Sequence, residues 1–237
     1  MFGFGKKSKD PDRDYAEGSK LYSKGEYKEA FKLLKKSAES GNAEAMYGVG
    51  VMYHDGLGTM KDPSKAVVWW ERSSSLGNVK SNFNLGLAYH LGEGVKRNDD
   101  YAASLVQTAA EADNIKAMYT LGTFYLNGIG VKKSESKAVE WFLKAGDRGH
   151  VIAQYNLGVC YEDGVGTDVD YAKALKWYEL AAKNDYPQAQ YSLGLMYGDG
   201  KGVRNNEREA VKWMKKAAEN GVAEAEQFLK DYQELKE

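Results

Sequence analysis

The sequence predicts an all-α fold, a solenoid of stacked helix–turn–helix units, on three observations. The first is a strict period. Stepping by 36 residues from Gly122 reaches Gly50, Gly86, Gly158 and Gly194, and stepping from Tyr125 reaches Tyr53, Tyr89, Tyr161 and Tyr197. A register held over five copies without an inserted residue is the signature of one supersecondary unit repeated along the chain. The second is helical spacing of apolar residues within each copy, and the third is the placement of glycines and capping residues between them. No alternating Val/Ile/Thr run is long enough to compete as a strand.

The central copy shows why each unit is a hairpin. Ala117, Leu121, Phe124 and Tyr125 share one helical face. Gly128 and Gly130 then end that first helix, since glycine reaches the left-handed cap conformation without steric cost. Ser134 follows, with Asp62, Asn98, Asp170 and Asn206 at its equivalents; all five are N-cap residues for a second helix. Pro63 after Asp62 suits the first helical position. Ala138, Trp141, Phe142 and Ala145 carry the second helix, which closes at Gly149. Trp141 has Trp69, Trp177 and Trp213 as counterparts, with Leu105 as the exception. A glycine in mid-helix costs about 1 kcal/mol relative to alanine. Its recurrence predicts a tight crossing at which each glycine faces the alanine of the paired helix, Ala66, Ala102, Ala138, Ala174 or Ala210.

In chain order, residues 1–13 read as a disordered N-terminal tail, in which Phe2 and Phe4 before Lys6 and Lys7 are a candidate docking tag set against plain disorder. Residues 14–42 form a tetratricopeptide-like capping hairpin, turning at Gly25, with Gly18, Tyr27, Ala30, Leu34 and Ser37 at core positions. Five 36-residue repeats occupy 43–222, with boundaries near 43, 79, 115, 151 and 187. The second diverges most: it has Leu105 for tryptophan and closes on Ala112, Asp113 and Asn114. Residues 223–237 form a C-terminal capping helix with a polar outer face, bringing the expected total to about thirteen helices.

Composition narrows the function. With 33 basic and 34 acidic residues the net charge is −1, which implies neither nucleic acid nor an anionic membrane as partner. Reading of RNA by a helical array is disfavoured further by an apolar rather than basic inner face. No apolar run approaches the ~20 residues of a membrane span, and no secretory signal opens the chain. A lone cysteine, Cys160, excludes an internal disulfide framework and fits a reducing, cytoplasmic setting. A monomer is expected.

Catalytic and metal-binding patterns fare poorly. His54 and His90 occupy equivalent positions of adjacent helices; helices pack ~8–10 Å apart, too far for two imidazoles each ~2 Å from one zinc. His150 lies at a hairpin junction. Ser134-Glu135-Ser136-Lys137 matches the Ser-x-x-Lys pattern of penicillin-interacting enzymes, yet the companion Ser-Asp-Asn and Lys-Thr-Gly motifs are absent and Ser134 is the regular N-cap position. The Gly-x-Gly pairs lack the strand and third glycine of a dinucleotide site. Cys160 replaces Met52, Ala88, Phe124 and Met196 at its register position, marking a core residue. No catalytic residue, metal or cofactor is expected.

A partner is better served by the first helices. Tyr119 lies about 160° around its helix from Leu121, and Tyr47, Phe83, Tyr155 and Tyr191 are its equivalents. One turn on come Val51, Leu87, Thr123, Val159 and Leu195. Asn84, Thr120, Asn156 and Ser192 stand beside the rings, and His54 and His90 extend the same face. Two readings stay open: a structural ladder of aromatics between repeats, or a groove in which rigid rings contact a protein or peptide whose backbone an asparagine amide could hold. Binding through the opposite face, where Lys212, Lys215 and Lys216 lie, is a further alternative.

The segments AQYNLGVCYEDGVGTDVDYAKALKWYELAA (153–182) and AQYSLGLMYGDGKGVRNNEREAVKWMKKAA (189–218) resemble the Sel-one-like repeat family, a branch of the tetratricopeptide-type helical repeats, over about residues 43–237. The resemblance implies a right-handed superhelix with the first helix of each hairpin lining a concave surface. It also implies an adaptor that holds a protein or peptide. Some cysteine-rich secreted relatives are described as penicillin-binding or β-lactamase proteins, and others resemble virulence-linked or toxin-neutralising proteins, so a hydrolase and a toxin inhibitor are the rival readings.

Overall fold

The structure is a computed structural model and describes residues 10–235. Among these residues there are thirteen α-helices and no strand. They fall into two compact units. The first holds α1 (Pro11–Ser23), α2 (Tyr27–Glu39), α3 (Ala43–Asp55), α4 (Pro63–Ser75), α5 (Val79–Leu91) and α6 (Asp99–Glu111). The second holds α7 (Ile115–Asn127), α8 (Glu135–Asp147), α9 (Val151–Asp163), α10 (Tyr171–Lys183), α11 (Pro187–Asp199), α12 (Glu207–Glu219) and α13 (Ala223–Glu234). Within each unit every helix packs against its neighbours in sequence, pair upon pair. The all-α repeat architecture is therefore as expected.

The chain becomes helical earlier than the expected tail to residue 13 allowed. Asp10 caps α1 by accepting from the Arg13 N–H at 3.1 Å, and Pro11 fills the first helical position. The Ser37 hydroxyl then donates to the Pro11 carbonyl at 2.5 Å and ties this start to α2. The Phe2, Phe4, Lys6 and Lys7 tag lies outside the described residues.

The five expected N-caps all operate. Asp62, Asn98, Ser134, Asp170 and Asn206 accept from the N–H three residues on, at 3.0–3.4 Å. Each cap residue also donates its own N–H to the carbonyl of the recurring tyrosine, from Asp62 to Tyr53 at 2.8 Å through to Asn206 to Tyr197 at 2.9 Å. The loop between paired helices is thus closed from both sides.

Two expectations about glycine are refined. Gly164 ends α9 in the left-handed conformation with φ 73°, but the second loop glycine has another task. Gly166 lies on the backbone of Glu135, the first residue of α8, so closely that a Cβ would collide with its carbonyl. Gly58 on Tyr27, Gly94 on Pro63 and Gly202 on Tyr171 repeat this seating of a loop against the preceding hairpin. The mid-helix glycines do not face alanine side chains. A Cβ at Gly122 would stand 2.6 Å from the Phe142 ring, and one at Gly86 would stand 2.8 Å from Val106 Cγ2. Trp70, Tyr178 and Met214 take the same place over Gly50, Gly158 and Gly194. The alanines are buried, but the facing group sits one turn beyond them. Large side chains need the room because the two helices are already close: the Ala138 carbonyl would be 3.2 Å from the same Cβ.

Candidate functional site

The half-open side chains of the first helices form the candidate site, although they do not all turn away from the second helices: Tyr119 lies 5.8 Å from the Phe142 ring, Tyr155 5.7 Å from Tyr178 and His54 5.6 Å from Trp70. All sixteen predicted positions are half-buried or exposed, and Leu195 is the most open at 37%. A face that is covered on one side and open on the other is what the doubled apolar pattern required.

In the first unit the structure gathers Tyr47, Val51, His54, Asn84 and Leu87 around a cleft of about 420 Å³ between α3 and α5. Asp55, Trp70, Ala88, Leu91 and Glu93 complete it, and none of these five was among the predicted site residues. His54 Nδ1 lies 2.6 Å from Asp55 Oδ1, and its Nε2 lies 3.1 Å from Glu93 Oε2. The hydrogen bond to Asp55 leads in raising the His54 pKa above its ordinary value, with Glu93 adding to it against the opposing effect of burial. Tyr47 and Val51 also line a second cleft of about 320 Å³ with Tyr15, Tyr22 and Leu34. Phe83 and His90 lie outside both. His90 Nδ1 meets Asp99 at 2.7 Å, and Asp99 is held in turn by Arg97. The two histidines therefore serve separate carboxylates, and among the described residues no three His, Cys, Asp or Glu side chains gather as metal ligands.

In the second unit the rings contact one another. Tyr119 stacks on His150 with centroids 4.6 Å apart, and Tyr155 lies 5.2 Å from Tyr186. His150 and Tyr186 are the N-cap residues of α9 and α11. Each aromatic thus meets the residue that opens the next first helix, 31 positions on. The sequence signal was present, as an aromatic directly after the closing Gly149 and Asp185, but helical periodicity passes over cap positions. Burial lowers the His150 pKa, aided by Lys116. The neutral ring then accepts from the Ala153 N–H at 3.2 Å. Tyr191 packs onto Met214, Ala217 and Ala225, and with Tyr155 and Pro187 it lines a cleft of about 400 Å³. Asn156 and Val159 follow Tyr155 on α9, half-buried. The Thr123 hydroxyl is spent on the Thr120 carbonyl at 2.6 Å, and Ser192 is half-buried on α11. Tyr119 and Tyr155 thus each meet a cap aromatic, and the same rings remain partly open to solvent.

The residues with latent chemistry are otherwise engaged. Ser134 caps α8, and the Lys137 ammonium lies 5.1 Å over the Tyr125 ring rather than on the serine. Burial pushes the Cys160 thiol up to about 11, where the thiolate is scarce at neutral pH. The arrangement offers ring faces, apolar clefts, amides and a few carboxylates, which is the chemistry of recognition.

The Sel1 repeat model matches residues 1–42, 43–78, 79–114, 115–150, 151–186 and 187–222. The chain is 30% identical to a Sel1 repeat protein of known structure from Oxalobacter formigenes, with a TM-score of 0.81 over 90% of this chain and 84% of that one. It is 28% identical to a protective antigen of uropathogenic Escherichia coli with an SLR fold, with a TM-score of 0.67. That match covers 91% of this chain but spans only 55% of the antigen. An immunity protein from Pseudomonas aeruginosa shares the fold at 22% identity and a TM-score of 0.51, over 88% of this chain and 81% of that one. The comparison with curated proteins gives no match. Among the described residues no helix is long and apolar enough to cross a membrane.

Proposed function

We propose, from the premise that the chain belongs to the Sel1 repeat family, that it is a non-enzymatic scaffold that binds a protein or peptide along the first-helix faces of its repeats. Repeats of this family generally serve protein–protein interaction. The observation that carries the reading here is that each unit keeps half-open rings and apolar side chains on its first helices, Tyr47 to Leu87 in the first and Tyr119 to Leu195 in the second. Rigid aromatic surface of this kind gives contact area at small entropic cost. A reducing, cytoplasmic setting accompanies the proposal, since Cys160 is a buried free thiol. The hydrolase alternative loses its one sequence feature, because Ser134 and Lys137 are occupied with capping and with Tyr125. The likeness to an immunity protein shows the fold alone.

The test is a comparative capture. Leu87→Asp and Leu195→Asp place a charge on the two first-helix faces, while Val68→Asp places one on the outer side of α4, where Val68 is already 45% exposed. Circular dichroism establishes that all three fold. A protein retained by the wild type and by Val68→Asp, and lost from either first-helix variant, supports the reading. Retention by all but Val68→Asp overturns it.

A further inference from the structure

We propose that the cleft around His54 in the first unit receives a basic side chain, an arginine or lysine flanked by apolar residues in an extended segment of the partner. This rests on the scaffold reading above and names the partner chemistry for one of its two faces.

Comparison of the unit with its own repeat pattern carries the inference. The register position of Glu93 holds Leu57, Ile129 and Val165 in three other copies, and that of Leu91 holds Asp55, Asn127, Asp163 and Asp199. Here acid and apolar residue have changed places, leaving Leu91 61% exposed beside a carboxylate. The second unit contains the corresponding pair three repeats on. Glu162 stands for His54 and Lys201 for Glu93, again 39 residues apart, with Lys201 Nζ 3.3 Å from Glu162 Oε1. Tyr178, which stands for Trp70, adds its hydroxyl to Glu162 at 2.9 Å. That carboxylate is therefore satisfied by a permanent cation and a phenol.

In the first unit the polarity is reversed and the counter-ion is temporary. Two carboxylates, Asp55 and Glu93, share a single imidazole, and the buried Trp70 N–H bonds nothing. Both ring nitrogens can donate only while His54 is protonated. A guanidinium or ammonium takes that place with permanent charge, and a guanidinium can address both carboxylates through its fork of N–H donors. The apolar stems and neighbours of such a residue lie against Val51, Leu87 and Leu91 on the same cleft wall.

Direct exchange of the imidazolium for a guest cation makes binding release a proton. The charged groups facing His54 are Asp55 on its own helix and Glu93 from the loop after α5, while α4 presents the uncharged Trp70. The association therefore tightens as pH rises and His54 gives up its proton, provided the guest stays charged.

The probe is acetyl-Ala-Leu-Arg-Leu-Ala-amide, with a citrulline analogue of the same shape and no charge. Binding is followed by two-dimensional NMR of the full chain at pH 6 and pH 8. The arginine peptide is expected to move the His54 ring and Trp70 indole signals, with affinity several-fold higher at pH 8. His54→Lys installs a permanent cation between Asp55 and Glu93, which is the Glu162–Lys201 pair of the second unit with its ends exchanged; with its fold checked by circular dichroism, it should weaken binding about tenfold and remove the pH dependence. Equal binding of the citrulline peptide, unchanged binding to His54→Lys, or no movement at this cleft overturns the proposal. Shifts confined to Tyr155 and Tyr191 overturn it while the scaffold reading stands. Failure of that reading shows separately, in the capture by Leu87→Asp and Leu195→Asp.

Discussion

Gly48 and Gly50 lie two residues apart in α3, and replacing each by alanine should move stability in opposite directions. The gain is common to both: alanine in a helix interior is worth about 1 kcal/mol over glycine. The environments differ. A Cβ at Gly48 would have Leu34 Cδ1 at 3.7 Å, an ordinary contact. A Cβ at Gly50 would stand 2.5 Å from Trp70 Cδ1 and 3.0 Å from its Cε2. Carbon atoms rest about 3.5–4.0 Å apart, so the indole would have to retreat by roughly 1 Å, and Trp70, 3% exposed, has no solvent to retreat into. Overpacking of that kind costs about 1–3 kcal/mol, and the rigid ring places it at the upper end. Gly48→Ala should therefore stabilise by about 1 kcal/mol and Gly50→Ala destabilise by about 2 kcal/mol. The helix-propensity gain cancels in the difference of about 3 kcal/mol between them, which measures the collision alone. Urea denaturation of both variants, followed by circular dichroism and tryptophan fluorescence, reads this difference. If Gly50→Ala is as stable as Gly48→Ala, the recurring glycine is not there to seat the facing side chain, and the account of the hairpin contact fails.

Further expectations concern turns, titration and the thiol. Asp185 adopts φ 57° where Gly149 adopts 85° at the equivalent position, so Asp185→Gly should stabilise and Gly149→Ala, with open space around its Cβ, should destabilise by about 1 kcal/mol from backbone conformation alone; thermal unfolding of the two variants checks the signs. Gly166→Ala combines a positive φ with collision against the Glu135 backbone and should lower the unfolding midpoint more than Gly149→Ala does. The two perturbed histidines should act with opposite sign. The raised pKa of His54 makes its contribution full below the ordinary value of 6.5 and lost as pH rises through the folded value. The lowered pKa of His150 makes its contribution full above 6.5 and lost as pH falls through the folded value. The stability gap between wild type and His54→Gln should thus shrink toward alkaline pH, and that for His150→Asn toward acid pH. Cys160 should resist a disulfide reagent at pH 8 in the native chain and react at once in urea.

What could be read from residue order was whatever repeats at 36. Tyr53 and its counterparts, the cap residues from Asp62 to Asn206, and the glycine before each loop recur in register, because each answers a demand made within one hairpin, and a local demand leaves a local mark. Contacts between hairpins were legible only in part. Residue order gives Gly130 and its equivalent Gly166 the task of ending the first helix, since nothing in the sequence reveals that Glu135, 31 positions before Gly166, lies beneath that glycine. The facing partner of Gly122 was placed on Ala138 instead of Phe142, an error of one turn, because helix pairing has an axial offset that periodicity does not carry. The candidate site shows the same division. Tyr119, Tyr155 and Tyr191 stand out by their period, whereas His150 and Tyr186, which meet Tyr119 and Tyr155, sit at caps. Most telling are Leu91 and Glu93, whose importance lies in breaking the register. A search tuned to recurrence discards such positions as noise. In a protein built from copies, the fold resides in what every copy keeps, and the individuality of a binding surface resides in what one copy changes. The exchange of acid for apolar residue around His54 is therefore where this chain's own specificity is to be sought, ahead of any residue that its five repeats hold in common.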